Sequence, residues 1–205
     1  MSSLGADKFA KIFLFGDSLT QQSFSPGGWG ARVADHFQRR ADVLNRGFTG
    51  YNTDWAKAIL PRLLASREQA DVITVLLGSN DAVKEGEYQH VPLDRYAQNL
   101  RDILEALCEQ TNISWPLNRE NERTSLYAKA ALSVGVEKSV DTVDLYSAMV
   151  KEPAYHKYLS DGLHFNAAGG QFLAELVIPK LELHLCNQKS VFPHWEDAAR
   201  LLNVS

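Results

Sequence analysis

Cysteine is nearly absent: only Cys108 and Cys186 occur in 205 residues. They have neither C-x-x-C spacing nor histidines clustered beside them, so nothing supports a disulfide framework or a zinc-type site, and both read as free thiols. Clustered positive charge is missing too. The net charge is -4, and the nearest thing to a basic patch is Arg39 and Arg40. Nucleic-acid binding by counterion release needs a concentrated basic surface, so no nucleic-acid partner is expected. Long apolar runs are also lacking. The stretch 11–15 falls far short of the ~20 residues a membrane helix needs, and Asp7 and Lys8 interrupt the start of the chain where a secretory signal would lie. The expectation is a cytoplasmic protein with no membrane span. Nor is there an internal repeat, linker or low-complexity segment. What remains is a globular composition, 45% hydrophobic and 22% charged, of a length that suits one domain over 1–205.

Residues 11–16 read as a strand, because Ile12, Phe13, Leu14 and Phe15 form a continuous apolar run ending at Gly16, as in a strand covered on both faces. Two further strands are expected at 42–46 and 71–77, the second again ending in a glycine, Gly78. A fourth is expected at 140–145. Helical spacing of apolar residues marks 29–40, 52–64, 92–107, 117–134 and 169–185, with Pro179 expected to kink or shorten the last. This alternation argues for an α/β sandwich on a parallel sheet. In such sheets sites lie beyond the carboxyl ends of the strands, so the loops at Gly16, Gly47, Gly78 and Leu159 should face one crevice.

Ser18 follows a strand and a glycine directly, where a nearby helix start would aim N–H groups at developing negative charge. A serine hydroxyl needs a base to act as a nucleophile; the alternative is that Ser18 simply caps the helix. Asp161-Gly162-Leu163-His164 places an acid three residues before a histidine, so one short loop can present a carboxylate and an imidazole together. A capping aspartate and a surface histidine would give the same spelling. Asn80, in Gly78-Ser79-Asn80-Asp81, and Gly50 are candidate donors to an oxyanion, or ordinary turn residues. Asp17 and Asp81 read as carboxylates that stiffen their own turns. Trp29 and Tyr51 suit either a substrate pocket or the core. His36, His90, His156, His184 and His194 have no comparable acidic context.

Taken in order, Gly16-Asp17-Ser18-Leu19, Gly50, Gly78-Ser79-Asn80-Asp81 and Asp161-Gly162-Leu163-His164 resemble the four blocks of the GDSL, or SGNH, hydrolases. Gly27-Gly28-Trp29-Gly30, Leu44-Asn45-Arg46-Gly47-Phe48, Tyr51-Asn52-Thr53 and Tyr158-Leu159-Ser160 further resemble the isoamyl acetate-hydrolysing esterase branch. The resemblance implies a three-layer α/β/α sandwich with a flavodoxin-like parallel sheet. It implies Ser18 as nucleophile, His164 as base and Asp161 as third member of a triad. It also implies Ser18 N–H, Gly50 N–H and the Asn80 amide as oxyanion donors, with no cofactor and no metal. The implied reaction is hydrolysis of a small-molecule ester, acetate-type esters first, with carbohydrate or lysophospholipid deacylation as the nearest alternative. Activity should then fall as pH drops and the imidazole protonates, near ~6.5 for a free histidine.

One block of the pattern is missing. Between 107 and 115 the family places a buried strand, but here Cys108-Glu109-Gln110-Thr111-Asn112-Ile113-Ser114 is polar, and the likeness resumes at Leu117-Asn118-Arg119. The chain reads as internally shortened by one central strand. A sheet so altered would either rearrange or expose an edge, so a non-catalytic binding or regulatory variant is the competing expectation. No residue pattern argues for a particular oligomeric state.

Overall fold

A computed structural model describes residues 8–65, 70–108 and 121–185. Three parallel strands form one sheet in the order β2-β1-β3, with β1 (Ala10–Gly16) between β2 (Ala41–Gly47) and β3 (Val72–Leu76). The ladders run from Ala10 opposite Ala41 to Gly16 opposite Gly47, and from Ile12 opposite Val72 to Gly16 opposite Leu76. All three strands therefore end at one edge. The two-residue period of a strand sends alternate side chains to opposite faces. Ile12 and Leu14 join Val72 and Leu76 against Val33 and Phe37 on one side and Leu173, Val177 and Leu181 beyond them. Phe13 and Phe15 join Ile73 and Val75 on the other face, against Leu60, Leu100, Ile103 and Leu104.

The helices supply those partners: α2 (Trp29–His36) and α7 (Ala167–His184) cover the first face, and α3 (Thr53–Leu64), α4 (Leu93–Cys108) and α5 (Asn121–Glu137) the second. α2, α3, α4 and α7 each begin within about two residues of their expected starts, and the expected start of α5, at 117, lies outside the described residues. α2 is shorter than expected, ending at His36. Pro179 lies inside α7, which nonetheless runs on to His184. Among the described residues this gives helix, sheet, helix: the expected sandwich, on a short sheet.

The expected strand at 140–145 is corrected. Val140, Val143 and Leu145 are buried as a strand's residues would be, but the segment makes no ladder. Val140 N–H donates to Gly135 O and Leu145 N–H to Val143 O. Asp144 Oδ1 then accepts from Ser147 N–H at 2.9 Å and caps a short helix, α6 (Leu145–Val150). Apolar content gives these residues their burial, while local hydrogen bonds take the N–H groups at both ends of the segment, Val140 and Leu145. Among the described residues β3 pairs with β1 alone. The segment 109–120, where the lost strand would fall, together with Cys186 and His194, lies outside the described residues.

Candidate active site

Ser18 is the first residue of α1 (Ser18–Gln21), at the end of the central strand, and is almost fully buried. The turn into it is built on a close approach: a Cβ on Gly16 would lie 2.3 Å from Thr20 Oγ1 and 2.4 Å from Leu76 O, which only glycine permits. Asp17, not Ser18, caps the helix, its Oδ1 accepting from Leu19 N–H at 2.9 Å. The capping role that competed for Ser18 is thus filled by its neighbour, and the local reading of Asp17 agrees with this bond.

The Ser18 hydroxyl lies 2.9 Å from His164 Nε2, and His164 Nδ1 lies 2.7 Å from Asp161 Oδ2. Asp161 Oδ1 accepts from the backbone N–H groups of Leu163, at 2.9 Å, and His164, at 2.8 Å. With Nδ1–H donating to the carboxylate, Nε2 is left as an acceptor for the hydroxyl proton. The hydrogen bond from His164 holds the Asp161 carboxyl well below the usual carboxylate range. The loop is closed at its base by a bridge between Leu159 and Phe165, and Ser160 N–H donates to His164 O at 2.8 Å. Asn166 then caps α7, its Oδ1 accepting from Ala168 and Gly169.

Gly50 occupies the third position of the turn 48–51, where Tyr51 N–H donates to Phe48 O at 3.1 Å and Gly50 has φ 81°. Phe48 N–H donates to Gly16 O at 2.8 Å, hanging this turn from the end of β1. Buried Asn80 donates its side-chain N–H to Tyr51 O at 2.7 Å, so Asn80 and the Gly50 turn are joined.

Asp81 goes beyond its expected local role, since its carboxylate meets its own backbone N–H and a distant element as well. Its carboxylate reaches across to α3, where Oδ1 accepts from Thr53 N–H at 2.9 Å and from Thr53 Oγ1. Burial pushes its carboxyl up to about 7, with the negative charge of Asp17 adding to the rise and the Thr53 bonds opposing it. An unfolded aspartate titrates near ~3.9, so between the two values the folded chain holds a proton that the unfolded chain releases. The associated stability is full below about pH 4 and is lost as pH rises through about 7, by on the order of 4 kcal/mol at most. Asp81→Asn is neutral throughout. The expected result is a smaller fall in melting temperature between pH 5 and pH 8 than in the unmodified protein; an equal fall would refute this account.

Tyr51 lines a cleft of about 420 Å³ with Gly50, Trp55, Val83, Tyr88 and Gln89. Tyr51 packs edge-on to Trp55, with centroids 6.0 Å apart, and Trp55 lies 5.3 Å from the exposed Tyr88 ring. Sequence reading missed Trp55 and Tyr88. Spacing of four from Tyr51 to Trp55 at a helix start was a usable signal, whereas nothing local marks Tyr88. Trp29 goes mainly to the core, donating Nε1–H to Leu19 O at 2.9 Å, while its edge reaches a second recess of about 20 Å³ with Leu19, His164 and Phe165. Neither His36, bonded to Glu182, nor His184, bonded to Asp141, joins Ser18. No three His, Cys, Asp or Glu side chains among the described residues gather as metal ligands would, and no described helix is long and apolar enough to cross a membrane.

A hydroxyl, imidazole and carboxylate bonded in series can deprotonate the hydroxyl as it attacks a carbonyl and return the proton to a leaving group. Comparison with known proteins agrees with that chemistry. Residues 14–172 match the GDSL-like lipase/acylhydrolase family. The chain is 38% identical to a human protein called isoamyl acetate-hydrolyzing esterase 1 homolog, over 92% of this chain and 88% of that one. That alignment is 221 residues long, so the relative carries stretches that this chain lacks. A lipase/acylhydrolase structure from Enterococcus faecalis superposes with a TM-score of 0.72 at 24% identity, over 89% of this chain and 98% of that one. An acetyl xylan esterase structure, AlAXEase, superposes at 0.75 with 16% identity, over 83% and 99%.

Proposed function

Because this chain belongs to the GDSL-like lipase/acylhydrolase family and is a serine esterase of that kind, we propose that it hydrolyses short-chain, acetate-type esters in the cytoplasm through Ser18, His164 and Asp161. The observation that carries this reading is the unbroken chain of hydrogen bonds from the Ser18 hydroxyl through both imidazole nitrogens to Asp161. Ser18 Oγ attacks the ester carbonyl while His164 Nε2 takes its proton. The proton passes to the departing alcohol, and water, deprotonated by the same nitrogen, then releases the acid. Ser18 N–H, Gly50 N–H and the Asn80 amide receive the oxyanion.

The two cavities suit an unequal ester. The recess beside His164 has room for one small group, such as the methyl of an acetate. The aromatic cleft beside Gly50 accommodates the hydrocarbon part of the alcohol. Support for this substrate comes also from the name of the human relative, isoamyl acetate-hydrolyzing esterase 1 homolog. The exposed face of Tyr88 next to Glu87 and Gln89 favours a second reading, removal of acetyl groups from a carbohydrate. Rates on isoamyl acetate, methyl acetate and an acetylated xylo-oligosaccharide separate the two.

Trp55→Ala is expected to lower kcat/KM for isoamyl acetate by up to about tenfold more than for methyl acetate, since burying one or two extra hydrocarbon groups against the indole is worth ~0.8 kcal/mol each. An equal loss on both esters would remove the cleft from substrate binding.

A further inference from the structure

The orientation of one peptide group decides whether Gly50 can donate to an oxyanion. In the turn 48–51, Gly50 has positive φ and Thr49 does not, which with the Tyr51 to Phe48 hydrogen bond makes it a type II turn. Type I and type II turns differ by a flip of the central peptide, here the one carrying Gly50 N–H. Glycine is at ease in both conformations, so the residue itself does not choose between them.

The two flanking peptides are held from opposite sides. Thr49 N–H donates to Gln21 Oε1 at 2.7 Å, and Gly50 O accepts from Gln89 Nε2 at 2.6 Å. Gln21 ends α1, three residues beyond Ser18, and its own N–H donates to Asp17 O at 2.9 Å. Gln89 is anchored in turn, its carbonyl accepting from Asn52 Nδ2 at 3.0 Å. One amide thus ties the turn to the nucleophile loop and the other ties it to the connection after β3. Because each partner is a backbone group of fixed polarity, Gln21 must present oxygen and Gln89 must present nitrogen.

We propose that Gln21 and Gln89 form a two-sided amide clamp that fixes the Gly50 N–H toward the oxyanion, making them positioning residues for the reaction. This rests on the reading of Gly50 as an oxyanion donor in an esterase acting through Ser18. The clamp predicts opposite responses to the same isosteric change. Gln21→Glu keeps the acceptor that Thr49 N–H needs. Gln89→Glu loses the donor and sets a carboxylate against the Gly50 carbonyl oxygen.

The experiment measures kcat and KM on p-nitrophenyl acetate, inhibition by a trifluoromethyl ketone, and melting temperature, for Gln21→Ala, Gln21→Glu, Gln89→Ala and Gln89→Glu beside the unmodified protein and Ser18→Ala. Losing an oxyanion donor outright lowers kcat by about a hundredfold to a thousandfold, and loosening one should give a part of that. Gln21→Ala, Gln89→Ala and Gln89→Glu are expected to lower kcat by about ten- to a hundredfold, with KM within about twofold. Gln21→Glu is expected to restore most of the loss seen in Gln21→Ala. The inhibition constant of the ketone, whose adduct carries an oxyanion, should rise in step with the fall in kcat/KM. Equal impairment of Gln21→Glu and Gln21→Ala, normal turnover in Gln89→Glu, or losses confined to KM or to melting temperature would overturn the clamp while leaving the esterase reading intact. Absence of Ser18-dependent turnover in the unmodified protein would overturn both.

Discussion

Ser18→Ala is expected to abolish hydrolysis of p-nitrophenyl acetate, lowering kcat by on the order of a millionfold as loss of a serine nucleophile does elsewhere, while leaving the melting temperature unchanged. The two halves of this result follow from different atoms. The substitution removes only Oγ, the atom that would attack and the one bonded to His164 Nε2. It leaves the helix start intact, because Asp17 Oδ1 satisfies Leu19 N–H. Were Ser18 itself the cap, its loss would cost about 1 kcal/mol of stability. A fluorophosphonate should label the unmodified chain and fail to label the variant. Equal, near-zero rates in two folded proteins would point instead to a shortened, non-catalytic member of the family.

Asp161→Asn should lower kcat by roughly ten-thousandfold with the loop still in place. Asparagine Oδ1 can still accept from Leu163 and His164 N–H, the two bonds that shape the loop. At Oδ2, however, an NH₂ would replace the acceptor that faces His164 Nδ1. The imidazole then moves its proton to Nε2, and the Ser18 hydroxyl meets a donor instead of a base. Because His164 holds the Asp161 carboxyl below the usual range, the unmodified enzyme keeps it ionised throughout the neutral and mildly acidic range. Loss of activity on acidification would therefore report the imidazole, not the carboxylate. A variant that retains more than about a tenth of the rate would deny Asp161 this role.

Much of the candidate site was legible because its members sit in short, local patterns. Gly16-Asp17-Ser18 ends a strand, and Asp161 and His164 are three residues apart, so local geometry joins each group before tertiary structure brings them together. Two carboxylates show where that reasoning stops. Asp17 bonds two residues away, as its motif suggested, but Asp81 bonds Thr53, twenty-eight residues earlier. The aromatic cleft was hidden for the same reason, since Trp55 and Tyr88 come from separate segments and meet only in the folded chain. The segment 140–145 failed differently: its apolar residues are buried as expected, yet burial does not specify a ladder when the neighbouring strand that would receive its hydrogen bonds is missing from the pattern.

The sheet order has a last consequence for how this site tolerates disturbance. Ser18 lies two residues beyond the central strand, whose two ladders and two cores must all break before its amides open to solvent. His164 rides on a surface loop held mostly by bonds within a few residues, the bridge between Leu159 and Phe165 and those of Asp161 and Ser160. Its longer ties are the bond to Ser18 and the packing of Leu159 and Phe165 on the first core. Opening that loop breaks no strand ladder and disturbs the first core only at its partly buried margin, so the nucleophile and its proposed base belong to units of unequal local stability. The attacking group is set just beyond the strand that is paired on both edges, and the proton acceptor on a locally bonded loop that is expected to open more readily.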